Sequence, residues 1–128
     1  MAEAPVKPLR GRRLLVVEDD YMVAVQMAQS LEELGAEVIG PVGSVEDALV
    51  MVETADAGVD AAVLDINLHD ERVYPVADAL AARGVPFVFV TGYDALAIPE
   101  PYVSWAPRLQ KPIDKALLAR VLVRIWPT

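Results

Sequence analysis

Three runs of four apolar residues, each ending on a polar side chain, limit most strongly what this chain can fold into. Leu14–Val17 runs into Glu18, Ala61–Leu64 into Asp65, and Phe87–Val90 into Thr91. Each is of strand length, and none alternates apolar with polar as a half-exposed strand would. Between the runs the spacing turns helical. Val23, Met27, Leu31 and Leu34 share one helical face behind Asp20, and Gly35 ends the stretch. Val45, Ala48, Leu49 and Val52 do the same behind Ser44, whose acid three residues on, Asp47, completes a capping-box pattern. Val73, Val76, Ala77 and Leu80 form a third stripe closed by Arg83-Gly84, and Leu118, Val121, Leu122 and Ile125 a last one. Two weaker strands complete the alternation: Glu37–Ile39, ended by Gly40-Pro41, and Arg108–Gln110, ended by Lys111-Pro112. Ala95–Trp105 holds Pro99 and Pro101, so a helix there is short or irregular. Five strands alternating with helices predict βαβ units and a parallel sheet. Strands that are apolar throughout predict helices on both faces, a doubly wound α/β domain.

Composition narrows the function classes. At 128 residues, 55% of them hydrophobic, the chain suits one domain with one sizeable core. A formal charge of −8 disfavours nucleic acid and anionic membranes as partners. With no cysteine, disulfides, thiolate metal sites and thiol nucleophiles are excluded, and a reducing cytoplasm fits. No apolar run is long enough to span a membrane. Met1–Gly11 is expected to be a flexible tail, with the folded domain running from Arg12 to Thr128. The apolar run at Leu14–Val17 is too short for a signal peptide and is cut off by Glu18-Asp19-Asp20.

In doubly wound sheets, ligands bind beyond the carboxyl ends of the strands. There the sequence places Glu18, Asp19 and Asp20 after the first strand, Asp65 after the third, Thr91 after the fourth and Lys111 after the fifth. Glu18, Asp19 and Asp65 brought together repel one another, and a divalent cation with Lys111 balances them. Oxygen-only ligands suit magnesium or manganese rather than zinc. Phosphoryl transfer needs a nucleophile, a cation on the phosphoryl oxygens and donors for the others. Asp65 can be that nucleophile, with Thr91 and Lys111 as the donors.

The blocks Val16-Val17-Glu18-Asp19, Leu64-Asp65-Ile66-Asn67-Leu68, Val90-Thr91-Gly92 and Lys111-Pro112 resemble, in order and position, those of response-regulator receiver domains of two-component systems. The resemblance spans roughly Arg13 to Pro127. It implies a flavodoxin-like fold with strand order 2-1-3-4-5 and Asp65 as phosphoacceptor from a sensor histidine kinase. It further implies Asp19 as direct metal ligand, Glu18 as ligand through water, and Asn67 as donor of a backbone carbonyl to the metal. Thr91 would be the switch hydroxyl, Lys111 the phosphoryl-binding lysine, and Lys111-Pro112 a cis bond. Many receivers carry Tyr or Phe three residues before the lysine, as an aromatic switch; here that residue is Arg108. Phe89-Val90-Thr91-Gly92-Tyr93 resembles a largely alphaproteobacterial, often stand-alone subclass without the aromatic switch, whose kinases are of the HWE or related types. A downstream protein partner is implied but not named.

Blander roles are expected elsewhere. Asp20 caps the first helix, and the only histidine, His69, lies exposed in a loop. Glu71 and Arg72 open a solvated helix, and Trp126 packs the end of the last helix. Tyr102 and Trp105 either form a partner surface or cover the core. An output surface is expected over residues 93–108. A pseudo-receiver that never accepts phosphate is the alternative function, and loss of Asp65, Asp19 or Lys111 would mark it. An aspartyl phosphohydrolase would want a second Asp where Asn67 stands. A nucleotide or flavin carrier would want a phosphate-cradling loop where the acidic triplet stands.

Overall fold

The computed structural model describes residues 7–55, 58–92 and 98–126. The sheet is built from β1 (Arg13–Val17), β2 (Glu37–Val42), β3 (Ala61–Asp65), β6 (Phe87–Thr91) and β7 (Arg108–Gln110). All neighbours are parallel, in the order β2-β1-β3-β6-β7. Two further strands, β4 (Asn67–Leu68) and β5 (Glu71–Arg72), form a small antiparallel hairpin outside the sheet. With that hairpin set aside, the order is the 2-1-3-4-5 of the flavodoxin-like arrangement.

The helices are α1 (Tyr21–Glu33), α2 (Val45–Thr54), α3 (Tyr74–Ala82), α4 (Tyr102–Trp105) and α5 (Lys115–Ile125). Successive residues of a strand face opposite sides of the sheet, and the core divides accordingly. Leu15, Val17, Ala62, Leu64, Phe87 and Phe89 pack with residues of α2 and α3. Leu14, Val16, Ala61, Val63, Val88 and Val90 pack with residues of α1 and α5. Both faces are therefore buried, which is why the central strands read as unbroken apolar runs.

Local signals hold where they were expected. Asp20 caps α1 by accepting from the Val23 N–H at 3.2 Å. Ser44 caps α2 by accepting from the Asp47 N–H at 3.1 Å. The Val45 N–H takes its acceptor from far along the chain, the Glu71 Oε2 at 3.0 Å. Trp126 is buried at the end of α5, with the Arg12 guanidinium 4.8 Å from its ring centre.

Three expectations need correction. Met1–Gly11 is not a tail throughout: Leu9 is fully buried against Leu14, Leu31 and their neighbours, and its N–H donates to the Leu34 carbonyl at 3.0 Å. An isolated apolar residue among basic ones gave no periodicity to mark it. Glu71 and Arg72 do not open a helix but form β5, because Val73 N–H is held by the Ile66 carbonyl and Pro75 stands in the first turn of α3. β2 does not stop at Ile39 but continues through Gly40 and Pro41 to Val42. As an edge strand it tolerates a proline with no N–H to give. Gly40 takes φ +90°, and a Cβ there would lie 2.9 Å from the Val42 nitrogen, so the bend needs glycine.

Candidate acidic site at the carboxyl ends of the strands

The prolongation of β2 helps place the first acid. The Glu18 N–H donates to the Val42 carbonyl at 2.9 Å, which carries the pairing of β1 one residue past its end. The Glu18 side chain turns inward and is 6% exposed, its Oε2 accepting from the Asp20 N–H at 3.1 Å. Asp65 ends β3 and is 5% exposed; Thr91 ends β6 and is 6% exposed. These three are the buried polar or charged side chains among the described residues. Such burial is costly without compensation, so their clustering asks for a chemical reason.

Lys111 supplies part of it. Its N–H donates to the Thr91 carbonyl at 2.8 Å, anchoring the turn out of β7. Its Nζ lies 2.5 Å from Glu18 Oε1 and 3.7 Å from Asp65 Oδ1. The peptide that follows, Lys111-Pro112, is cis, as the sequence pattern implied. Carboxylate oxygens of Glu18, Asp19 and Asp65 lie within 4.8 Å of one another. Three carboxylates against one ammonium leave an excess of negative charge in a poorly solvated pit.

That excess appears in the acidities. Burial first, then the hydrogen bond and charge of Glu18, push the Asp65 carboxyl up to about 7; Lys111 pulls the other way and Asp19 adds to the rise. Burial works against the Lys111 ammonium, but the hydrogen bond to Glu18 and the charges of Asp65, Glu18 and Asp19 outweigh it and raise its pKa. The donor set fits a hard divalent cation. All its atoms are oxygens, and the 4.8 Å within which they lie is close to the roughly 4.2 Å between opposite ligands of an octahedral magnesium ion. Such a cation would also offset the carboxylate charge that helps raise the Asp65 pKa.

No family model matches the chain. It is similar to SdrG from Sphingomonas melonis Fr1, whose solution structure is 41% identical, with 87% of this chain and 92% of that chain covered and a TM-score of 0.75. It is similar also to a CheY-like response regulator receiver domain from Methylobacillus flagellatus, 32% identical over 89% of this chain and 98% of that one, with a TM-score of 0.75. The chain belongs to the response-regulator receiver domains. A curated relative, the transcriptional regulatory protein PdtaR of Mycobacterium tuberculosis, is 25% identical over 83 residues, which is 64% of this chain. The match spans only 40% of PdtaR's own length.

Every site residue named from the sequence converges on this end of the receiver, and two neighbours have geometry that the sequence did not announce. His69 has an exposed side chain, as expected of a loop residue, yet its N–H and its Nδ1 lie 2.9 and 3.0 Å from the same Asp19 oxygen, Oδ2. It reaches there by adopting φ +46°, a left-handed conformation uncommon outside glycine that asparagine, aspartate and histidine adopt more readily than other residues. The turn between β4 and β5 dictates that conformation, and no local pattern in the sequence marks such a hairpin. The Asn67 Oδ1 is buried without a hydrogen-bond partner among the described residues. Arg108, at the position of the usual aromatic switch, is exposed and forms no ion pair among the described residues. Tyr93 and the rest of 93–97, including the start of the expected output surface, lie outside the described residues.

Proposed function

We propose that this receiver accepts a phosphoryl group on Asp65 from a sensor histidine kinase, with magnesium or manganese bound, and passes the signal on by protein contact or by draining phosphate from the kinase. The observation that carries the reading is Lys111, whose ammonium lies against both Glu18 and Asp65 in a pit where an unpaired charge would be costly. In the transfer, an Asp65 oxygen attacks phosphorus, an acyl phosphate forms, and the bond to the donor's imidazole nitrogen breaks with its electron pair leaving on that nitrogen. Asp19, with Asp65 and the Asn67 backbone carbonyl, would hold the metal directly, and Glu18 through water. The cation, when bound, supplies positive charge to the phosphoryl oxygens and holds Asp65 ionised. Lys111 exchanges its contact with Glu18 for a phosphoryl oxygen, and the Thr91 hydroxyl donates to another.

The likeness to SdrG, which is also known in a BeF3-activated conformation at 38% identity, supports this chemistry. The stretch Phe89-Val90-Thr91-Gly92-Tyr93 supports membership of the subclass served by HWE or related kinases. That reading places the protein in the cytoplasm, where ATP-fed kinases present their phosphohistidine. Among the described residues, no helix is long and apolar enough to cross a membrane.

Intact mass after incubation with magnesium and a small phosphodonor tests the reading. A phosphoryl adduct on the native chain, absent from Asp65→Asn, is the expected result. No adduct from small donors or from histidine kinases, with magnesium binding demonstrated, would overturn it in favour of a pseudo-receiver.

A further inference from the structure

An unbroken series of ring contacts leads from the strand that carries Thr91 to the protein surface. Phe87 and Phe89 meet edge to face on β6, with centroids 5.3 Å apart. Phe89 meets Tyr74 at 6.0 Å and 80°, and Tyr74 stacks on Tyr102 at 4.4 Å and 16°. Tyr102 in turn meets Trp105 edge-on at 5.3 Å. The series begins at a fully buried ring, Phe89, and ends at Trp105, which is 46% exposed.

The chain places these rings by simple rules. Phe89 and Thr91 are two apart on one strand, so they share a face of the sheet. That is the face covered by α2 and α3, and Tyr74 opens α3. Tyr102 opens α4, and its hydroxyl donates to Asp78 Oδ2 at 3.2 Å, one turn along α3 from Tyr74. α4 has four residues and none is buried. A single turn of helix is not stable by itself, so its tertiary contacts place it, and the Tyr102 ring and hydroxyl are the ones that join it to α3. No ring on β7 could do the same, since that strand carries Arg108, Leu109 and Gln110, and only Leu109 is buried.

We propose that the Phe89–Tyr74–Tyr102 contacts form a two-position relay that couples occupancy of the Asp65 site to the placement of α4 and Trp105, in the absence of an aromatic residue on β7. The inference rests on the phosphoryl-acceptor reading of that site. A ligand that engages Thr91 shifts the end of β6, and Phe89 moves with the same strand. Close-packed rings pass on such a shift by changing partners rather than by stretching. One stack and one hydrogen bond are weak enough to re-form in a second position. Coupling of this kind is reciprocal, so altering the ladder alters affinity at the site.

The test uses Trp126→Phe, which leaves Trp105 as the sole tryptophan, with magnesium and beryllofluoride as the phosphoryl mimic. Fluorine NMR reads binding, and Trp105 emission reads α4. With the ladder intact, binding is expected to change the Trp105 emission. In Tyr74→Leu most of that change is lost while bound fluoride remains, and affinity for the mimic shifts by about 2- to 10-fold. Tyr74→Phe, which keeps the ring, restores the response. If Tyr74→Leu fails to fold by circular dichroism, Tyr102→Leu at the outer rung carries the same comparison. Bound fluoride with an unmoved Trp105, or with the same response in both leucine variants, overturns the relay. No bound fluoride on the native protein overturns the phosphoryl-acceptor reading, and the relay with it.

Discussion

On one side of the sheet, α1 and α5 bring thirteen and eleven residues of helix, anchored by Leu31, Leu118 and Leu122, all fully buried. On the other, α2 and α3 bring ten and nine, and α4 adds a single turn with no buried residue. The first side is a platform: aliphatic packing and the Lys111 turn hold β1, β3 and β7 so that Glu18, Asp65 and Lys111 stay together. The second side grades from a firm core at Phe89 to the single exposed turn of α4, which meets that core through Tyr102 and the neighbouring Ala106. A molecule that must keep a charged pit in register while changing its surface gains from that inequality. Order is concentrated where the chemistry is, and weak attachment where a partner would read the result.

The sharpest way to break this comparison is to cut both ends of the aromatic series. Phe89→Ala is expected to destabilise the fold by about 3–5 kcal/mol in urea unfolding, because a fully buried ring leaves a cavity. Trp105→Ala, half-exposed at the other end, is expected to cost less than about 1 kcal/mol. Equal costs would show that α4 belongs to the cooperative core, and the contrast between the two sides would fall.

Next in size is Lys111→Ala. With the ammonium gone, nothing in the pit donates charge to a phosphoryl oxygen from β7, and the rate of Asp65 phosphorylation is expected to fall by about 10²–10³-fold. Thermal unfolding is expected to change much less at acidic pH, where Asp65 holds its own proton. A normal phosphorylation rate in this variant would remove Lys111 from the reaction.

The platform side and the site were largely legible in the sequence, and the reason is physical. Leu14–Val17, Ala61–Leu64 and Phe87–Val90 are buried on both faces, so composition alone marks them as strands. The residues that follow these runs, and Lys111 after the weaker Arg108–Gln110, then fall at one edge by topology, which brings Glu18, Asp65, Thr91 and Lys111 together without any knowledge of distance. What escaped was set by contacts far apart in sequence. Leu9 folds against Leu34, His69 reaches Asp19, Glu71 caps α2, and Tyr102 finds Tyr74; each is a single residue in a polar or proline-rich stretch with no period to reveal it. The stacked pair decided between the two expectations for Tyr102 and Trp105: Tyr102 covers the core, and Trp105 stands at the surface beyond it.

Acidity offers a smaller test confined to the platform. Asp65 has its pKa raised from 3.8 to about 7 by burial and by Glu18. A raised carboxyl pKa means that the folded state keeps this proton longer than the unfolded chain does. The stabilisation is fully present below the unfolded value and is lost as pH rises through about 7. Metal-free protein should therefore lose stability between about pH 4 and pH 7 on account of this group, and Asp65→Asn should flatten that slope. Magnesium competes with the same proton, so with that pKa near 7 its affinity by calorimetry should be roughly fivefold weaker at pH 6 than at pH 7. A pH-independent affinity across that range would mean that Asp65 is already ionised in the folded protein.

The smallest expected effects separate local from long-range support on the weaker side. α2 is capped twice, by Ser44 on the Asp47 N–H and by Glu71 on the Val45 N–H. Ser44→Ala removes a neutral cap and is expected to cost about 1 kcal/mol. Glu71→Ala removes a carboxylate from the positive end of the same helix, in an exposed setting screened by salt, and is expected to cost about 0.3–1 kcal/mol. Only the second should shrink as ionic strength rises, since a hydroxyl cap carries no net charge. Glu71 also ties the β4–β5 hairpin to α2, and that hairpin holds His69 against Asp19. If Glu71→Ala weakens magnesium binding while Ser44→Ala does not, the hairpin joins the platform that shapes the site; if neither does, the hairpin only decorates it.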